Sequence, residues 1–113
     1  MLANKFRLNR QEIGEIIKKG VCFNGFFFYI KALYLSDKKN NGFSIIISKK
    51  VEKTSVGRHR IKRIVSSVIE ETSLNKIKTK FNSFVFILKP VEKDLFYEKK
   101  LKNDIKNVIK MIV

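Results

Sequence analysis

Apolar residues recur along the chain with two different spacings, which indicate helices in some segments and strands in others. Between Arg7 and Lys19 they fall on one side of a helix, at Leu8, Ile13, Ile16 and Ile17. Asn9 is a candidate N-cap, and Gly20 stands just past the last turn. The pattern therefore predicts a short first helix, which Gly14 weakens.

The segment from Val21 to Leu35 is rich in aromatic and branched residues, and a polar turn from Asp37 to Gly42 separates it from Phe43 to Ser48. This arrangement predicts two strands joined as a hairpin. Alternate residues of a strand face opposite sides. One face of the first strand then carries Phe26, Phe28, Ile30, Ala32 and Tyr34, and the other carries Phe27, Tyr29, Lys31, Leu33 and Leu35. Since both faces are largely apolar, we expect both to be covered.

The second half of the chain predicts a helix, a strand and a helix. Thr54 or Ser55 can cap the first of these, whose buried stripe falls at Ile61, Ile64, Val65 and Val68. Phe81 to Leu88 predicts the strand, and Asp94 to Met111 predicts a helix with apolar positions at Leu95, Leu101, Ile105, Val108, Ile109 and Ile112. The order α-β-β-α-β-α predicts an α+β sandwich, with helices packed on a small sheet, in a single domain of residues 1–113.

The composition adds a large excess of positive charge to this picture. The chain has 25 Lys and Arg against 10 Asp and Glu, which gives a formal net charge of +15. Such charge on a small surface opposes folding by self-repulsion, and a polyanion relieves it. Nucleic acid is therefore the first partner to consider, although a genome of biased nucleotide composition can also enrich lysine.

The arginines are more informative than the lysines, because three of the five fall between positions 58 and 63. At about 100° per residue, one continuous face of the predicted helix carries Arg58, His59, Arg60, Lys62, Arg63, Ser66 and Ser67. Lys49, Lys50 and Lys53 lead into this helix. The planar guanidinium grips phosphate oxygens at two points, so the face predicts contact with a nucleic-acid backbone. The alternative is a solvated charged surface.

The start of the same helix offers a second kind of phosphate site. Backbone N–H groups around Gly57 have no partner one turn earlier, and such groups bind anions. Gly57 would also let a phosphate approach the backbone closely. Fraying of the helix end is the equal alternative.

No set of catalytic or metal-binding residues stands out in the sequence. His59 is the only histidine, and its cationic neighbours would weaken a metal bound there. The adjacent Glu70 and Glu71 indicate solvated surface, and neither a carboxylate pair nor a Ser/His/Asp set is recognisable. We therefore predict no catalytic and no metal-ligating residue in the chain.

Cysteine and apolar content bear on the compartment. Cys22 is the only cysteine, which excludes an intrachain disulfide and a Cys-based zinc cluster. Met1 to Arg10 lacks the apolar block of a secretory signal, and Val21 to Leu35 is too short and too polar to span a bilayer. We expect a cytoplasmic protein without a membrane partner.

Short motifs follow one another along the chain in a specific order. Ser48-Lys49-Lys50-Val51 ends the second predicted strand, and Arg58-His59-Arg60-Ile61-Lys62-Arg63 lies in the helix after it. Other pieces are Arg7-Leu8, Lys18-Lys19-Gly20 and Leu88-Lys89-Pro90. Together they resemble the bacterial ribonuclease P protein family, in which a strand ending in Ser-Lys-Lys-Val leads to a helix with Arg-Asn-Arg-x-Lys-Arg.

The chain departs from the family pattern at four positions. His59 stands where the family usually has Asn, and Ser66 stands where it usually has another Arg. Ile13 and Ile17 occupy positions that tend to be aromatic in the family. An aliphatic cleft would stack bases less well than an aromatic one.

The resemblance implies a sandwich like that of a ribosomal-protein domain, with an unusual left-handed crossover. It implies a protein subunit that binds the catalytic RNA of ribonuclease P and the 5′ leader of precursor tRNA. The holoenzyme removes the leader and so matures the tRNA 5′ end. The RNA subunit performs the chemistry with Mg²⁺ that is bound mainly by RNA and substrate. No obligate protein partner is implied.

The resemblance also implies two groups of site residues. The expected RNA-binding residues are Lys49, Lys50, Lys53, Arg58, His59, Arg60, Lys62 and Arg63. The leader cleft lies between the first helix and the sheet, and its candidates are Ile13, Ile17, Phe28 and Tyr29. Either face of the first strand could stack bases, although a core role is favoured for Phe26 and Phe28. The alternatives are a structural RNA-binding module such as a ribosomal protein and a basic amphipathic protein at an anionic membrane.

Overall fold

A computed structural model describes residues 4–36, 38 and 40–112 of the chain. Parts of two predictions, the N-terminal segment before Asn4 and the turn residues Asp37 and Lys39, lie outside the described residues. In chain order the elements are a short 3₁₀ helix (Asn4–Phe6), α1 (Arg10–Lys19), β1 (Val21–Asn24), β2 (Phe28–Leu33), β3 (Gly42–Ile46), α2 (Ser55–Glu71), β4 (Ser83–Leu88) and α3 (Tyr97–Ile112). The predicted α+β class and the order of its main elements are confirmed.

The four strands form one mixed sheet in the order β1-β2-β4-β3. β1 and β4 both run antiparallel to β2, whereas β3 runs parallel to β4. The chain passes from β3 through α2 to β4, so α2 is the crossover between two parallel neighbours. That this crossover is left-handed stays a prediction.

The predicted hairpin between Val21 to Leu35 and Phe43 to Ser48 is wrong. The first segment is itself the hairpin β1–β2, because the Gly25 N–H donates to the Phe28 carbonyl at 2.8 Å and closes a turn inside it. β4 then lies between β2 and β3. Its residues are buried on both faces, which is the pattern of a central strand.

Helices cover both faces of the sheet, as the two apolar strand faces predict. The larger cluster joins the sheet to α2 and α3, and its strand members are Phe28, Ile30, Ala32, Phe43, Phe84, Phe86 and Leu88. The smaller cluster lies under α1 and contains Leu8, Ile16 and Val85, with Ile13, Leu33, Leu35, Ile46 and Ile87 partly buried around them. The Phe28 and Phe86 rings stack at 5.9 Å in the larger cluster.

The helix boundaries follow capping residues. Asn9 caps α1 in a reciprocal arrangement, in which its side chain accepts the Glu12 N–H at 2.8 Å and Glu12 accepts the Asn9 N–H at 2.9 Å. Thr54 caps α2 by accepting the Gly57 N–H at 3.0 Å. The predicted caps are therefore confirmed, although α1 begins three residues after Arg7.

Three predicted core residues lie outside the core. Phe26 is 77% exposed because it lies in the β1–β2 turn, where its N–H and that of Phe27 donate to Asp104. Tyr34 lies beyond the end of β2, and Leu95 lies before the first residue of α3. The strand or helix period does not extend to these positions, so their side chains are not directed inward.

Candidate RNA interface

One end of the sheet is only partly covered on the α1 face. The register places Tyr29 beside Ile87 and Ile87 beside Ile46, and these three side chains are half-buried. The residues that flank α1 lie at the opposite end, where Leu8 is against Gly42 and Gly20 is against Ala32. We call the end with Tyr29, Ile46 and Ile87 the open end.

The basic segments leave the sheet at the open end. β3 runs toward this end and continues into the turn that carries the exposed Lys49 and Lys50. The exposed Lys53 follows, and α2 begins at Ser55. The sequence order thus brings the basic loop and the first half of α2 to the half-covered apolar row.

The guanidinium of Arg58 is used inside the protein. Its Nη1 donates to the carbonyls of Glu52 and Lys53 at 3.0 and 2.9 Å, and its Nη2 donates to the Ser55 hydroxyl at 3.3 Å. These contacts fasten the basic loop to the first turn of α2. A contact of Arg58 with RNA stays a prediction, and only its uncommitted N–H groups are available for one.

The same loop is fastened to the segment before α3. Lys93 donates to the Val51 carbonyl and forms an ion pair with Glu52 at 3.0 Å. The hydrogen bond from Lys93 lowers the pKa of Glu52, whose carboxylate is the anion of this pair. Val51 is buried in the larger cluster, so the loop is anchored on three sides.

His59, Arg60 and Arg63 form the exposed arc of α2. They make no hydrogen bond or ion pair within the part of the chain that the structure describes. Arg60 and Arg63 border a groove toward α3 that also contains Glu98 and Lys102. The exposed arc therefore presents two guanidinium groups and an imidazole to solvent.

The charges along α2 run against the helix dipole. The first turn has no acidic residue, the last turn has no basic residue, and Glu70 and Glu71 stand at the C-terminal end. A helix is stabilised by the reverse order, with anions near the N-terminus and cations near the C-terminus. The cations and the positive end of the dipole together concentrate positive potential at the start of α2.

Two features predicted near the exposed arc are different in the structure. Ser66, predicted on the exposed face, is only 2% exposed because Arg7 and the edge of β3 lie over that side of α2. The Gly57 N–H is not open to a phosphate, since it donates to the Thr54 hydroxyl. A Cβ at Gly57 would meet the Glu52 side chain at 2.4 Å, so the close neighbour of this glycine is part of the protein.

The four leader-cleft candidates divide between the two faces of the sheet. Ile13 and Ile17 lie on α1, where Ile17 is 41% exposed, and Tyr29 faces the same side. Phe28 is 1% exposed and lies in the larger cluster on the other face, so it does not line the cleft with them. Strand alternation separates Phe28 from Tyr29.

Sequence reasoning missed Ile46 and Ile87 as members of the open end. Each was assigned only to a strand, because the pairing of β3 with β4 was not foreseen. A parallel pair joined through a helix requires a crossover of at least about ten residues, and the segment between Ile46 and Ser83 meets that requirement. The length of this segment could therefore have indicated a parallel pairing of β3 with β4.

The described residues contain no group of three or more His, Cys, Asp or Glu that could hold a metal ion. They also include no helix that is long and apolar enough to cross a membrane. The chemistry that the described surface offers is hydrogen-bond donation and positive charge beside an apolar row.

Comparison with known proteins identifies the family. A family model described as Ribonuclease P matches residues 2–113. The chain belongs to the ribonuclease P protein family. The ribonuclease P protein component of Pseudanabaena sp. is 30% identical over 110 residues, which cover 96% of this chain and 92% of that protein. The resemblance found in the motifs is therefore confirmed.

Solved ribonuclease P proteins share the fold. The protein from Thermotoga maritima gives a TM-score of 0.73 at 18% identity, over 95% of this chain and 97% of that one. The protein from Staphylococcus aureus gives 0.72 at 21% identity, over 98% and 92%. As a member of this family, the chain is a subunit of an endoribonuclease holoenzyme whose partner is an RNA subunit.

Proposed function

We propose that the exposed arc and the basic loop bind the catalytic RNA of ribonuclease P, and that the open end holds the 5′ leader of precursor tRNA. In this role the chain supports endonucleolytic removal of the leader and maturation of the tRNA 5′ end. The predicted contacts are those of Lys49, Lys50, Lys53 and the basic residues of α2.

The charge order along α2 is the observation that carries this proposal. Clustered cations repel one another in the free protein, and Arg60 and Arg63, further along α2, recover none of that cost through partners among the described residues. A polyanion bound there would recover it, and guanidinium groups suit phosphate oxygens geometrically. The family membership gives the polyanion its identity as ribonuclease P RNA.

The leader assignment is supported by the open end. Single-stranded nucleic acid is bound by stacking surfaces within a positive groove. Tyr29, Ile46 and Ile87 give a half-buried apolar row, and Lys49 and Lys50 follow β3 at the same end. Tyr29 is the one aromatic ring of this row.

Mg²⁺ belongs to the proposal as a cofactor held mainly by the RNA and the substrate. It would activate water for attack on the phosphodiester. The part of this chain is to neutralise phosphate charge around the RNA and to position the leader.

The first test adds the purified chain to a matching catalytic RNA at low magnesium and measures cleavage of precursor tRNA. We expect stimulation by the natural chain and much less by the double variant Arg60→Ala, Arg63→Ala. Each lost phosphate contact should also lower the slope of log affinity against log salt by roughly one unit. Lys110→Ala, at the far end of α3, is a control that removes one exposed cation elsewhere.

Equal stimulation by the double variant and the control would contradict the assignment of the exposed arc to the RNA. An unchanged salt slope in the double variant would assign Arg60 and Arg63 to plain solvated surface. Absence of stimulation by a folded natural chain would contradict the proposed function itself.

The second test concerns the leader. Tyr29→Ala should weaken binding of precursor tRNA to the assembled complex by about fivefold or more, since stacking of one base contributes about 1–3 kcal/mol. Tyr29→Phe keeps the ring and should bind normally. Mature tRNA, which lacks the leader, should bind both variants equally. Equal loss for precursor and mature tRNA would contradict a leader contact at Tyr29.

A further inference from the structure

A recess of about 250 Å³ lies between α2 and the outer edge of β3, next to the exposed arc but separate from it. α2 contributes Lys62 and Ser66, and the segment before α1 contributes Arg7 and Leu8. Phe43 to Ile45 of β3 form the remaining wall. No carboxylate lines the recess among the described residues.

The β3 wall has a backbone donor without a partner strand. The Gly42 N–H donates to the Asn82 carbonyl at 2.8 Å, whereas the Phe43 carbonyl accepts the Leu8 N–H at 3.2 Å on the opposite side. Backbone groups of alternate residues point to the same side of a strand, so those of Ile45 point outward like those of Phe43. The segment at Arg7 pairs only with Phe43, which leaves the outer edge at Ile45 unpaired within the described chain.

Ser66 contributes a hydroxyl to the recess. It is 2% exposed, and none of the described residues forms a hydrogen bond with it. A serine in a helix can bond to its own helix. Ser67 does so through the Ile64 carbonyl at 2.9 Å. Ser66 lines the recess, and its hydroxyl makes no such bond within the described chain.

The groups that line the recess all favour the same kind of ligand. Arg7 and Lys62 supply positive charge, and Ser66 and the Ile45 N–H supply neutral hydrogen bonds. An anion with several acceptor oxygens satisfies all four, and phosphate is such a group. The volume is below the roughly 300–1,000 Å³ of sites for drug-sized ligands, which suits one phosphate and its sugar.

We propose that this recess, the Ser66 pocket, binds one backbone phosphate of the partner RNA. The inference rests on the proposed function and adds to it a contact point outside the exposed arc. Arg7 and Lys62 contact the phosphate oxygens from two sides. The small side chain at position 66 is what keeps the pocket open.

The decisive variant is Ser66→Arg, which adds a cation but fills the pocket. If charge alone governed affinity, Ser66→Arg would bind the catalytic RNA more tightly. The pocket instead requires weaker binding, by about tenfold, because charge-assisted hydrogen bonds are lost. Ser67→Arg is the matched control, since it adds the same charge one residue away on the exposed side and should bind at least as tightly as the natural chain.

Arg7→Ala keeps the test decisive if Ser66→Arg does not fold. The backbone of this segment, not the Arg7 side chain, makes the contact with β3, so the variant retains that contact. Arg7→Ala should also weaken binding of the catalytic RNA about tenfold. Normal affinity in folded Arg7→Ala would overturn the pocket.

Amide NMR of the labelled full chain separates this inference from the proposed function. On addition of single-stranded RNA we expect the Ile45 and His59 signals to move in the natural chain, and only the His59 signal to move in Ser66→Arg. Movement of His59 without Ile45 would overturn the pocket and leave the proposed function standing. Failure of the natural chain to bind RNA would overturn both. Inorganic phosphate that moves Ile45 and is not displaced by RNA would overturn the assignment to an RNA phosphate.

Discussion

The basic residues of α2 have different roles although they share one motif. Arg58 fastens the loop before the helix through the carbonyls of Glu52 and Lys53 and through Ser55. Arg60 and Arg63 are exposed and border the groove toward α3. A motif that is uniform in sequence therefore divides into a structural arginine and two arginines that are available to a ligand.

This division predicts different effects on stability. Arg58→Ala should lower the free energy of unfolding by about 1–2 kcal/mol, because hydrogen bonds from a charged donor are lost at a half-buried position. Arg63→Ala should change it by less than about 0.5 kcal/mol, as exposed substitutions usually do. Urea unfolding of both variants measures the difference. Equal values for the two would contradict the structural role of Arg58.

The helical period predicted the buried stripe of α2 but not these finer differences. Ile61, Ile64, Val65 and Val68 are all buried, as their spacing requires. Arg58 and Ser66 were placed on the exposed face because the period gives only an angle around the helix. The loop that returns to Arg58, and the edge of β3 over Ser66, are tertiary features that spacing within one helix cannot contain.

At the scale of elements, the position of α1 determines how much of the sheet stays open. The reciprocal cap between Asn9 and Glu12 fixes its start. Lys38, from the segment between β2 and β3, forms a 2.8 Å ion pair with Glu12, and both residues are partly buried. Glu12 therefore links the first turn of α1 to the chain beside the sheet.

The ionisation of Glu12 should make the stability of the protein depend on pH in the acid range. The N–H of Asn9, and then the ammonium of Lys38, lower the pKa of Glu12 in the folded protein. Because this pKa is lower in the folded protein than in the unfolded chain, ionised Glu12 contributes its full stabilisation above the ordinary pKa of about 4.5. The stabilisation is lost as the pH falls through the pKa of Glu12 in the folded protein. Glu12→Gln keeps an acceptor for the cap but not the charge.

Thermal or urea unfolding of both proteins from neutral to acid pH tests this. We expect the variant to be less stable by about 0.5–1 kcal/mol at neutral pH, and the two curves to converge in acid. Curves that stay parallel through the acid range would contradict an ionised Glu12 as the source of the difference.

Sequence reasoning predicted the elements better than their pairing. The alternation of Phe28, Ile30 and Ala32 correctly defined one core face. The order β1-β2-β4-β3 depends on contacts between strands that are far apart in the chain, and no local pattern records them. The open end was beyond prediction for the same reason, since Tyr29, Ile87 and Ile46 become neighbours only through that order.

At the scale of the whole molecule, the formal net charge of +15 lies on a body whose Cα radius of gyration is 13.3 Å. The Debye length is about 30 Å at 0.01 M salt and about 10 Å at 0.1 M. At the lower concentration the cations repel one another over most of the molecule, whose extents are 41 × 26 × 24 Å. At the higher concentration the repulsion is confined to neighbours.

The free chain should therefore become more stable as salt is added, while its complex with RNA becomes weaker. Raising the salt from about 0.01 M to about 0.1 M should raise the Tm by several degrees, since about 1 kcal/mol corresponds to roughly 4–8 °C in a small domain. The same cations lose affinity for RNA over this range because the release of counterions into a more concentrated salt solution gains less entropy. Thermal melts without RNA measure the effect of salt on the Tm of the free chain. The Tm of the double variant Arg60→Gln, Arg63→Gln should rise less with salt than that of the natural chain. A Tm that falls or stays constant would mean that self-repulsion is not what a bound polyanion relieves, and the energetic basis for the charge order of α2 would be lost.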